Sequence, residues 1–270
     1  MTEITRRLIF GITVLCLFAF LIGGCGTDES VSNREAVSSD ESLTVSAAVS
    51  LRDAFNEIGE LYKSKTGKTV SFNFGASGAL QRQIETGAPV DVFASAGEKQ
   101  MNELAEKNLL DAATRRDFAR NRLVLIVPAN SKAAIADFAD LTKTEIGKIA
   151  VGNPKTVPAG EYSEQVFDNL KLKEAIRSKL ILAEDVRQVL DYVARGETDA
   201  GVVYESDARV ARSKVRVAAT APESSHRSIL YPIALINDSK NKPAARDFVD
   251  LVLSAEGQRI LQKYGFAAAS

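Results

Sequence analysis

Two serines in the first half of the chain stand where a predicted strand gives way to a predicted helix. Ser50 follows the apolar run Ala47-Ala48-Val49, and Ser77 follows Phe74-Gly75-Ala76. A serine at such a position can cap the helix, and its hydroxyl can also donate a hydrogen bond outward. The first N–H groups of a helix have no partner inside it, so each junction is suited to an anion. Capping alone would explain either serine, so neither one predicts a ligand by itself.

Three junctions in the second half offer further donors without formal charge. One helix is predicted after Val157-Pro158-Ala159-Gly160, another near Glu184-Asp185-Val186, and Tyr204 ends a strand with a phenol. The helix dipole explains the acidic pair, and an exposed rim position would explain the tyrosine. In open α/β sheets, however, ligands bind beyond the carboxyl ends of the strands, where such junctions meet. Five junctions facing one crevice indicate a ligand-binding site.

Composition and charge exclude several classes of function. The chain has 270 residues, of which 34 are Lys or Arg and 35 are Asp or Glu, so its formal net charge is -1. This balance lacks the excess positive charge that holds a nucleic-acid backbone, and we expect no nucleic-acid partner. Hydrophobic residues make up 45% and charged residues 26% of the chain. Those values are typical of a soluble globular protein with one large domain or two smaller ones.

Residue types for catalysis are scarce. The sequence has one histidine, His226, in a polar stretch, and two cysteines, Cys16 and Cys25. A Ser/His nucleophile would need His226 to reach Ser50 or Ser77, and a solvated loop histidine is the simpler interpretation. No HExxH, CxxC pair or P-loop spacing occurs, so metal-ion catalysis and nucleotide hydrolysis lack residues. We expect no catalytic residue, no free metal cation and no cofactor, and an extracytoplasmic hydrolase is the weaker alternative.

The first 41 residues have the pattern of a targeting sequence followed by a flexible linker, which we call the tether. Two arginines precede an apolar run at 8–22 that ends in Gly23-Gly24-Cys25. This pattern is typical of a secretory signal peptide, and the run is short for a membrane-spanning helix. Its end resembles the lipobox of bacterial lipoproteins, which implies lipidation of Cys25. We predict a signal peptide at 1–24 and a lipidated, flexible tether at 25–41, held at a membrane outside the cytoplasm. An uncleaved anchor helix is the alternative.

Apolar runs and amphipathic stretches alternate along the rest of the chain, which predicts strands interleaved with helices. The predicted strands lie at 43–49, 69–74, 90–94, 123–127, 148–152, 179–182, 200–204, 215–219 and 229–236. The predicted helices begin near Ser50, near Ser77 and after residue 160, and lie at 98–107, 185–195, 243–253 and 256–264. This order indicates parallel sheets with helices on both faces. Two halves of similar pattern indicate two lobes, the first formed by 42–122 with 231–270 and the second by 123–230.

Several of these segments together resemble one family over nearly the whole chain after the tether. The matching stretches are Ala47–Leu51, Phe74–Leu80, Gln83–Phe93, Ala150–Pro154, Val157–Gly160, Glu184–Arg187 and Gly201–Ala208. In combination they are similar to the molybdate-binding proteins of bacterial ABC importers. The serine-rich loop common in that family is here Ala76-Ser77-Gly78, which keeps only its middle serine.

The resemblance implies a fold, a ligand and a site. The fold is α/β, a two-lobe periplasmic binding protein of type II, in which each lobe is a mostly parallel sheet flanked by helices and the ligand lies in the cleft between the lobes. The oxyanion contacts fall on the hydroxyl and amide of Ser50 and of Ser77, the amides of Ala159 and Val186, and the hydroxyl of Tyr204. The implied function is capture of molybdate or tungstate and delivery to an ABC permease and its ATPase. We expect a lipid-anchored monomer.

Donors without charge suit such a ligand. A tetrahedral dianion carries no proton near neutral pH, so N–H and O–H groups can hold it without Lys or Arg. Selectivity then rests on cavity size and donor geometry, which favours molybdate and tungstate over the smaller sulfate. Protonated phosphate would leave its own donor unmatched, at a cost of about 1–3 kcal/mol. A sulfate or phosphate receptor on the same fold is the alternative, and we expect Asp53 and Asp185 to point outward.

Overall fold

The computed structural model describes residues 42–269. In this part of the chain the strands are β1 (Leu43–Ala48), β2 (Val70–Gly75), β3 (Val92–Ala94), β4 (Arg116–Arg120), β5 (Leu123–Pro128), β6 (Ile149–Gly152), β7 (Leu180–Ala183), β8 (Ala200–Tyr204), β9 (Val215–Thr220) and β10 (Leu230–Leu235). The α-helices are α1 (Arg52–Thr66), α2 (Ser77–Glu85), α3 (Glu98–Glu106), α4 (Pro158–Asn169), α5 (Lys173–Ile176), α6 (Val186–Ala194), α7 (Glu205–Val210), α8 (Lys242–Leu253) and α9 (Ala255–Lys263).

These strands form two five-stranded sheets with the same internal order. The first sheet runs β2-β1-β3-β10-β4 and the second runs β7-β6-β8-β5-β9. In the first, β1 is parallel to β2 and β3, and in the second, β6 is parallel to β7 and β8. Since the carboxyl ends of parallel strands share one edge of a sheet, each sheet gathers several strand-to-helix junctions at one edge.

Each sheet also contains one strand that runs against its neighbours. These strands are β10, antiparallel to β3 and β4, and β5, antiparallel to β8 and β9. Four of the five strands in each sheet run in the same direction, so the mostly parallel sheets that we predicted are present, each with one antiparallel strand. The physical reason is the path of the chain, since β5 and β10 each enter their sheet from the other one rather than through a crossover helix within it.

An aromatic cluster ties the C-terminal helices to the first sheet. The ring of Phe55 on α1 lies 6.0 Å from that of Phe72 on β2, 5.8 Å from Phe118 on β4 and 5.8 Å from Phe248 on α8, measured between centroids. Phe55 is fully buried. Tilted and edge-to-face packing of this kind adds to the burial of apolar area. The segment after β9 thus returns to the sheet that begins the described chain.

Three local features differ from the prediction. Strand β4 (Arg116–Arg120) is not predicted, because its sequence Arg-Asp-Phe-Ala-Arg has neither an apolar run nor a strict alternation of polar and apolar residues. Two short helices, α5 (Lys173–Ile176) and α7 (Glu205–Val210), are also absent from the prediction. The first helix begins at Arg52 instead of Ser50, because Val49–Leu51 forms a 3₁₀ turn between β1 and α1.

We call the first sheet with α1, α2, α3, α8 and α9 the first lobe, and the second sheet with α4 to α7 the second lobe. The residue limits of the lobes given above stay predictions. The signal peptide, Cys25 and the tether lie outside the described residues. Between residues 42 and 269, no helix has both the length and the apolar character needed to span a membrane.

Candidate functional site

A small cavity lies between the lobes at the carboxyl ends of their parallel strands. Its empty volume is about 200 Å³, part of which is open to solvent. Its lining consists of Ala48, Val49, Ser50, Gly75, Ala76, Ser77, Ala96, Val157, Pro158, Ala159, Val186 and Tyr204. The five residues predicted from the sequence are all in this set, so the structure brings them to one place. Their contact with a ligand stays a prediction.

Backbone N–H groups point to the chemistry of this cavity. Within residues 42–269, the amides of Ser50, Ser77, Ala159 and Val186 have no hydrogen-bond acceptor. All four residues are at most 3% exposed. Buried N–H groups are nearly always paired in folded proteins, so unpaired ones around a cavity indicate a place for an acceptor-rich ligand. Such amides also present the positive ends of helix dipoles.

The two serines are not helix caps, contrary to the simpler interpretation of each. The residue before α2 is Ala76, and Ser77 is the first residue of the helix itself. Ser77 Oγ instead accepts a hydrogen bond from the N–H of Ala96 at 3.0 Å. Ser50 lies in the 3₁₀ turn, and its Oγ is 3.1 Å from the hydroxyl of Tyr231. Both hydroxyls are therefore anchored by residues on neighbouring strands or loops.

Tyr204 is buried, so the alternative of a rim tyrosine with its hydroxyl in water is wrong. It is 1% exposed, and its hydroxyl donates to the carbonyl oxygen of Ala96 at 3.1 Å. This bond joins the end of β8 to the loop after β3 and so crosses between the lobes. Burial raises the pKa of Tyr204 well above its ordinary value, so the hydroxyl keeps its proton. To donate to a ligand, that hydroxyl must release Ala96.

Glycines allow the helix starts of the second lobe to approach the sheet. A Cβ atom on Gly160 of α4 would lie 2.0 Å from the carbonyl oxygen of Gly152 at the end of β6. Pro158 occupies the start of α4, where its missing N–H costs nothing. The Val157–Gly160 stretch therefore has the residue types needed to bring the Ala159 amide against the strand end.

The lobes are in direct contact beside the cavity. Gly78 N–H of α2 donates to the carbonyl oxygen of Thr156 at 3.0 Å, and a Cβ on Gly78 would lie 2.7 Å from that oxygen. Gly97 similarly faces Pro158, with its hypothetical Cβ 3.1 Å from the proline Cβ. The structure is therefore a closed arrangement of the two lobes.

One cation crosses between the lobes near the start of α6. Arg187 contacts Asp53 of α1 at 2.7 Å and Asp207 of α7 at 2.6 Å, and its side chain is 14% exposed. Asp53 therefore points towards the other lobe, and the expectation that it points outward is wrong. Asp185 caps α6 by accepting from the N–H of Gln188. Arg187 is neutralised by its two carboxylates and is not among the residues lining the cavity.

Asp207 has an unusual environment. It is fully buried, and its Oδ2 has no hydrogen-bond partner among the described residues. Burial raises the pKa of Asp207 to about 6, although the neighbouring Arg187 acts in the opposite direction. Desolvation therefore disfavours the charged form of Asp207, and the nearby guanidinium of Arg187 offsets this effect only in part.

Other features of the described chain do not support competing chemistry. No group of three or more His, Cys, Asp or Glu residues in this part of the chain could hold a metal ion. His226 Nδ1 is 2.7 Å from the carbonyl oxygen of Arg227, and its ring packs against Tyr162 rather than either serine. A groove of about 930 Å³ beside α1 is larger than the cavity, but Glu57, Glu60 and Lys63 are among its lining residues. The lining of the small cavity, unlike that of this groove, contains no charged residue.

The sequence reasoning missed four residues that hold the site in shape. Ala96 pairs with Ser77 and Tyr204, and Tyr231 contacts Ser50. Arg187 and Asp207 join α6 to α7. Arg187 and Asp207 lie inside the matching stretches, so those stretches carried the available signal. Ala96 and Tyr231 lie in ordinary strand and loop sequence that gave none.

Comparisons with known proteins agree with this geometry. A family model described as bacterial extracellular solute-binding protein matches residues 43–267. YvgL of Bacillus subtilis, provisionally named an ABC transporter substrate-binding lipoprotein, is 37% identical over 261 residues, which are 96% of this chain and 98% of YvgL. The molybdate-binding protein ModA of Escherichia coli is 38% identical over 238 residues, which are 86% of this chain and 91% of ModA. The structure of the periplasmic molybdate-binding protein of Azotobacter vinelandii has a TM-score of 0.76 at 24% identity, covering 84% of this chain and 100% of that one.

Proposed function

This chain belongs to the family of bacterial extracellular solute-binding proteins, and we propose that it binds molybdate or tungstate and delivers the anion to an ABC-type permease. The fold is that of a type II periplasmic binding protein, as predicted. The relatives at 37% and 38% identity are an ABC transporter substrate-binding lipoprotein by provisional name and a molybdate-binding protein. The ligand of this chain is inferred from them together with the site.

One observation carries the proposal. Four buried N–H groups and two anchored serine hydroxyls surround a cavity whose lining contains no Lys, Arg, Asp or Glu. An anion without a proton matches such donors, because every ligand oxygen accepts and none needs an acceptor in return. Helix dipoles at α2, α4 and α6 offset the ligand charge, and their effect is strong where water is excluded.

The cavity lies between the lobes, which supports a closure mechanism. In this proposal Ser50 and Ser77 hold the anion from the first lobe, and Ala159, Val186 and Tyr204 hold it from the second. A ligand held from both sides stabilises the closed state by its higher affinity for that state. The Asp53–Arg187 ion pair and the Gly78–Thr156 hydrogen bond add contacts that exist only when the lobes meet. The permease would then recognise the closed form.

We extend the proposal to the location of the protein in the cell and to its oligomeric state. Lipidation of Cys25 would hold the protein at the outer face of a membrane, and the tether 25–41 would let the lobes reach the permease. The protein would work as a monomer, without a cofactor and without catalysing a reaction. The metal atom is cargo, bound through the oxygens of its oxyanion.

Thermal unfolding tests the proposed ligand. A ligand bound only by the native state raises the melting temperature by mass action. We expect molybdate and tungstate to raise the melting temperature of the 26–270 fragment, and equimolar sulfate and phosphate to leave it unchanged. Equal shifts with sulfate would instead favour a general oxyanion receptor. No shift with any of the four anions would refute the proposed function.

A further inference from the structure

A chain of buried hydrogen bonds leads from the cavity to the point where the main chain first passes between the lobes. Ser50 Oγ lies 3.1 Å from the Tyr231 hydroxyl, and Asn121 Nδ2 donates to the same hydroxyl oxygen at 3.3 Å. Asn121 Nδ2 also donates to Ser206 Oγ at 2.8 Å. Tyr231, Asn121 and Ser206 do not line the cavity, and the hydrogen bonds that lead from them to the cavity pass through Ser50.

The direction of these hydrogen bonds follows from the residue that holds Asn121. Arg122 N–H donates to Asn121 Oδ1 at 2.9 Å, which identifies the amide oxygen and leaves the Nδ2 group facing Tyr231. The Tyr231 oxygen therefore accepts from Asn121. Burial raises the pKa of Tyr231 well above its ordinary value, so its hydroxyl keeps its hydrogen.

Among the contacts of the described residues, only one acceptor remains for the hydrogen of the Tyr231 hydroxyl. Ser50 Oγ is within hydrogen-bond distance, and Tyr231 is fully buried. A buried O–H group without an acceptor destabilises the fold, so Tyr231 donates to Ser50. Ser50 Oγ then accepts from the protein side, and its own hydrogen is left for the cavity.

We propose that Tyr231, oriented by Asn121, is a positioning residue that fixes Ser50 as a hydrogen-bond donor to the bound anion. The inference deepens the proposed function and rests on it. Ser77 is oriented in the same way, because its Oγ accepts a hydrogen bond from the Ala96 N–H at 3.0 Å and its own hydrogen is left for the cavity. With both serine hydrogens directed into the cavity, a fully deprotonated oxyanion is matched. A protonated oxyanion is not matched, because its own O–H group needs an acceptor and the two serine hydroxyls are both donors.

The Tyr231→Phe variant tests this role in the full-length chain by calorimetric titration with sodium molybdate. The ring stays in place for its packing against Tyr204 and Phe266, while the hydroxyl is lost. Ser50 can then turn its hydrogen away from the cavity, and we expect the molybdate affinity to fall about tenfold. The ratio of the affinity for molybdate to the affinity for monohydrogen phosphate should fall, because Ser50 Oγ becomes free to accept a hydrogen bond from the phosphate O–H group.

Tyr62→Phe is the matched control. Tyr62 is a buried tyrosine of the same lobe whose hydroxyl donates to the carbonyl oxygen of Ala244 at 3.3 Å, away from the cavity. Its removal should change the molybdate affinity less than twofold. A general loss of stability from a missing tyrosine hydroxyl would lower both variants' affinity alike, which would contradict a specific role for Tyr231.

A double variant distinguishes a positioning role of Tyr231 from a merely structural one. With Ser50→Ala already present, Tyr231→Phe should cause no further loss of molybdate affinity, because the group it positions is gone. An equal loss in the wild-type and Ser50→Ala backgrounds, or an unchanged affinity in Tyr231→Phe, would overturn the inference while leaving the proposed function intact. A wild-type chain that gives no molybdate binding would overturn both.

Discussion

The two walls of the cavity supply similar donors through different parts of the polypeptide. The first lobe provides the hydroxyls of Ser50 and Ser77, each anchored by a hydrogen bond from a neighbour. The second lobe provides the N–H groups at the starts of α4 and α6. Its one hydroxyl, that of Tyr204, donates back to Ala96 in the first lobe.

This difference teaches where mutations act. Side-chain donors disappear when the side chain is changed, whereas backbone donors survive most substitutions and depend on the path of the chain. The second wall therefore relies on residues such as Gly160, where a Cβ would lie 2.0 Å from the Gly152 oxygen. The donors of the first wall thus depend on hydroxyl residues, and those of the second wall depend on glycine and proline.

The largest expected effect separates the two walls directly. Replacing both serines, Ser50→Ala with Ser77→Ala, should weaken molybdate binding about a thousandfold, because two hydrogen bonds to a charged ligand are lost. The Val186→Ala variant keeps its N–H and should change the affinity less than about threefold. Calorimetric titration measures both, with circular dichroism to verify folding. Similar losses on the two walls would refute the comparison.

The converse variant removes a backbone donor without shortening a helix. Val186 is the first residue of α6, a position that accepts proline, and the preceding Asp185 has an extended backbone compatible with it. Val186→Pro should lower the molybdate affinity by about tenfold or more through loss of the N–H. An affinity equal to that of Val186→Ala would mean that this amide does not contact the ligand.

A smaller effect is expected from the ion pair between the lobes. Asp53→Asn weakens the contact with Arg187 that exists only in the closed arrangement. We expect the dissociation rate of molybdate to rise several-fold, about three to ten times, with little change in association. Glu57→Gln is the matched control, since Glu57 pairs with Lys263 inside the first lobe. Stopped-flow kinetics measures the rates, and equal effects of the two variants would rule out a role in closure.

The smallest effect concerns the stability of the second lobe. The pKa of Asp207 is raised to about 6 in the folded state, above its value of about 3.9 in unfolded chains. Between these values the folded state binds more protons, so this group favours folding as the pH falls through 6. From pH 7 to pH 5 the unfolding free energy of the wild type should rise by about 1 kcal/mol relative to Asp207→Asn. Urea titration at both pH values measures it, and parallel profiles would contradict the raised pKa.

Most of the fold follows from periodicity. The alternation of apolar runs with amphipathic stretches predicted nine of the strands and most of the longer helices. It could not predict β4, whose residues Arg116, Asp117 and Arg120 interrupt the apolar pattern. It also could not predict the antiparallel strands β5 and β10, because strand direction depends on which sheet the chain enters and not on local residue types.

The lining of the cavity was predictable where its residues belong to recognisable junctions between strands and helices. Ser50, Ser77, Ala159, Val186 and Tyr204 all line the cavity, and the matching stretches located them. The residues that orient these donors were not predictable in the same way. Tyr231 and Asn121 lie 181 and 71 residues from Ser50 in the chain, and only the folded structure brings their hydrogen bonds together.

The most direct test of the account is a crystal structure of the protein with tungstate, whose heavy atom is located by its anomalous signal. We expect the tungsten atom in the small cavity between the lobes. Its oxygens should lie about 2.7–3.1 Å from the amide nitrogens of Ala159 and Val186 and from the serine hydroxyls, with no Lys or Arg nitrogen in contact. An anomalous peak in one of the charged surface grooves, or an oxyanion held by a basic side chain, would contradict the account.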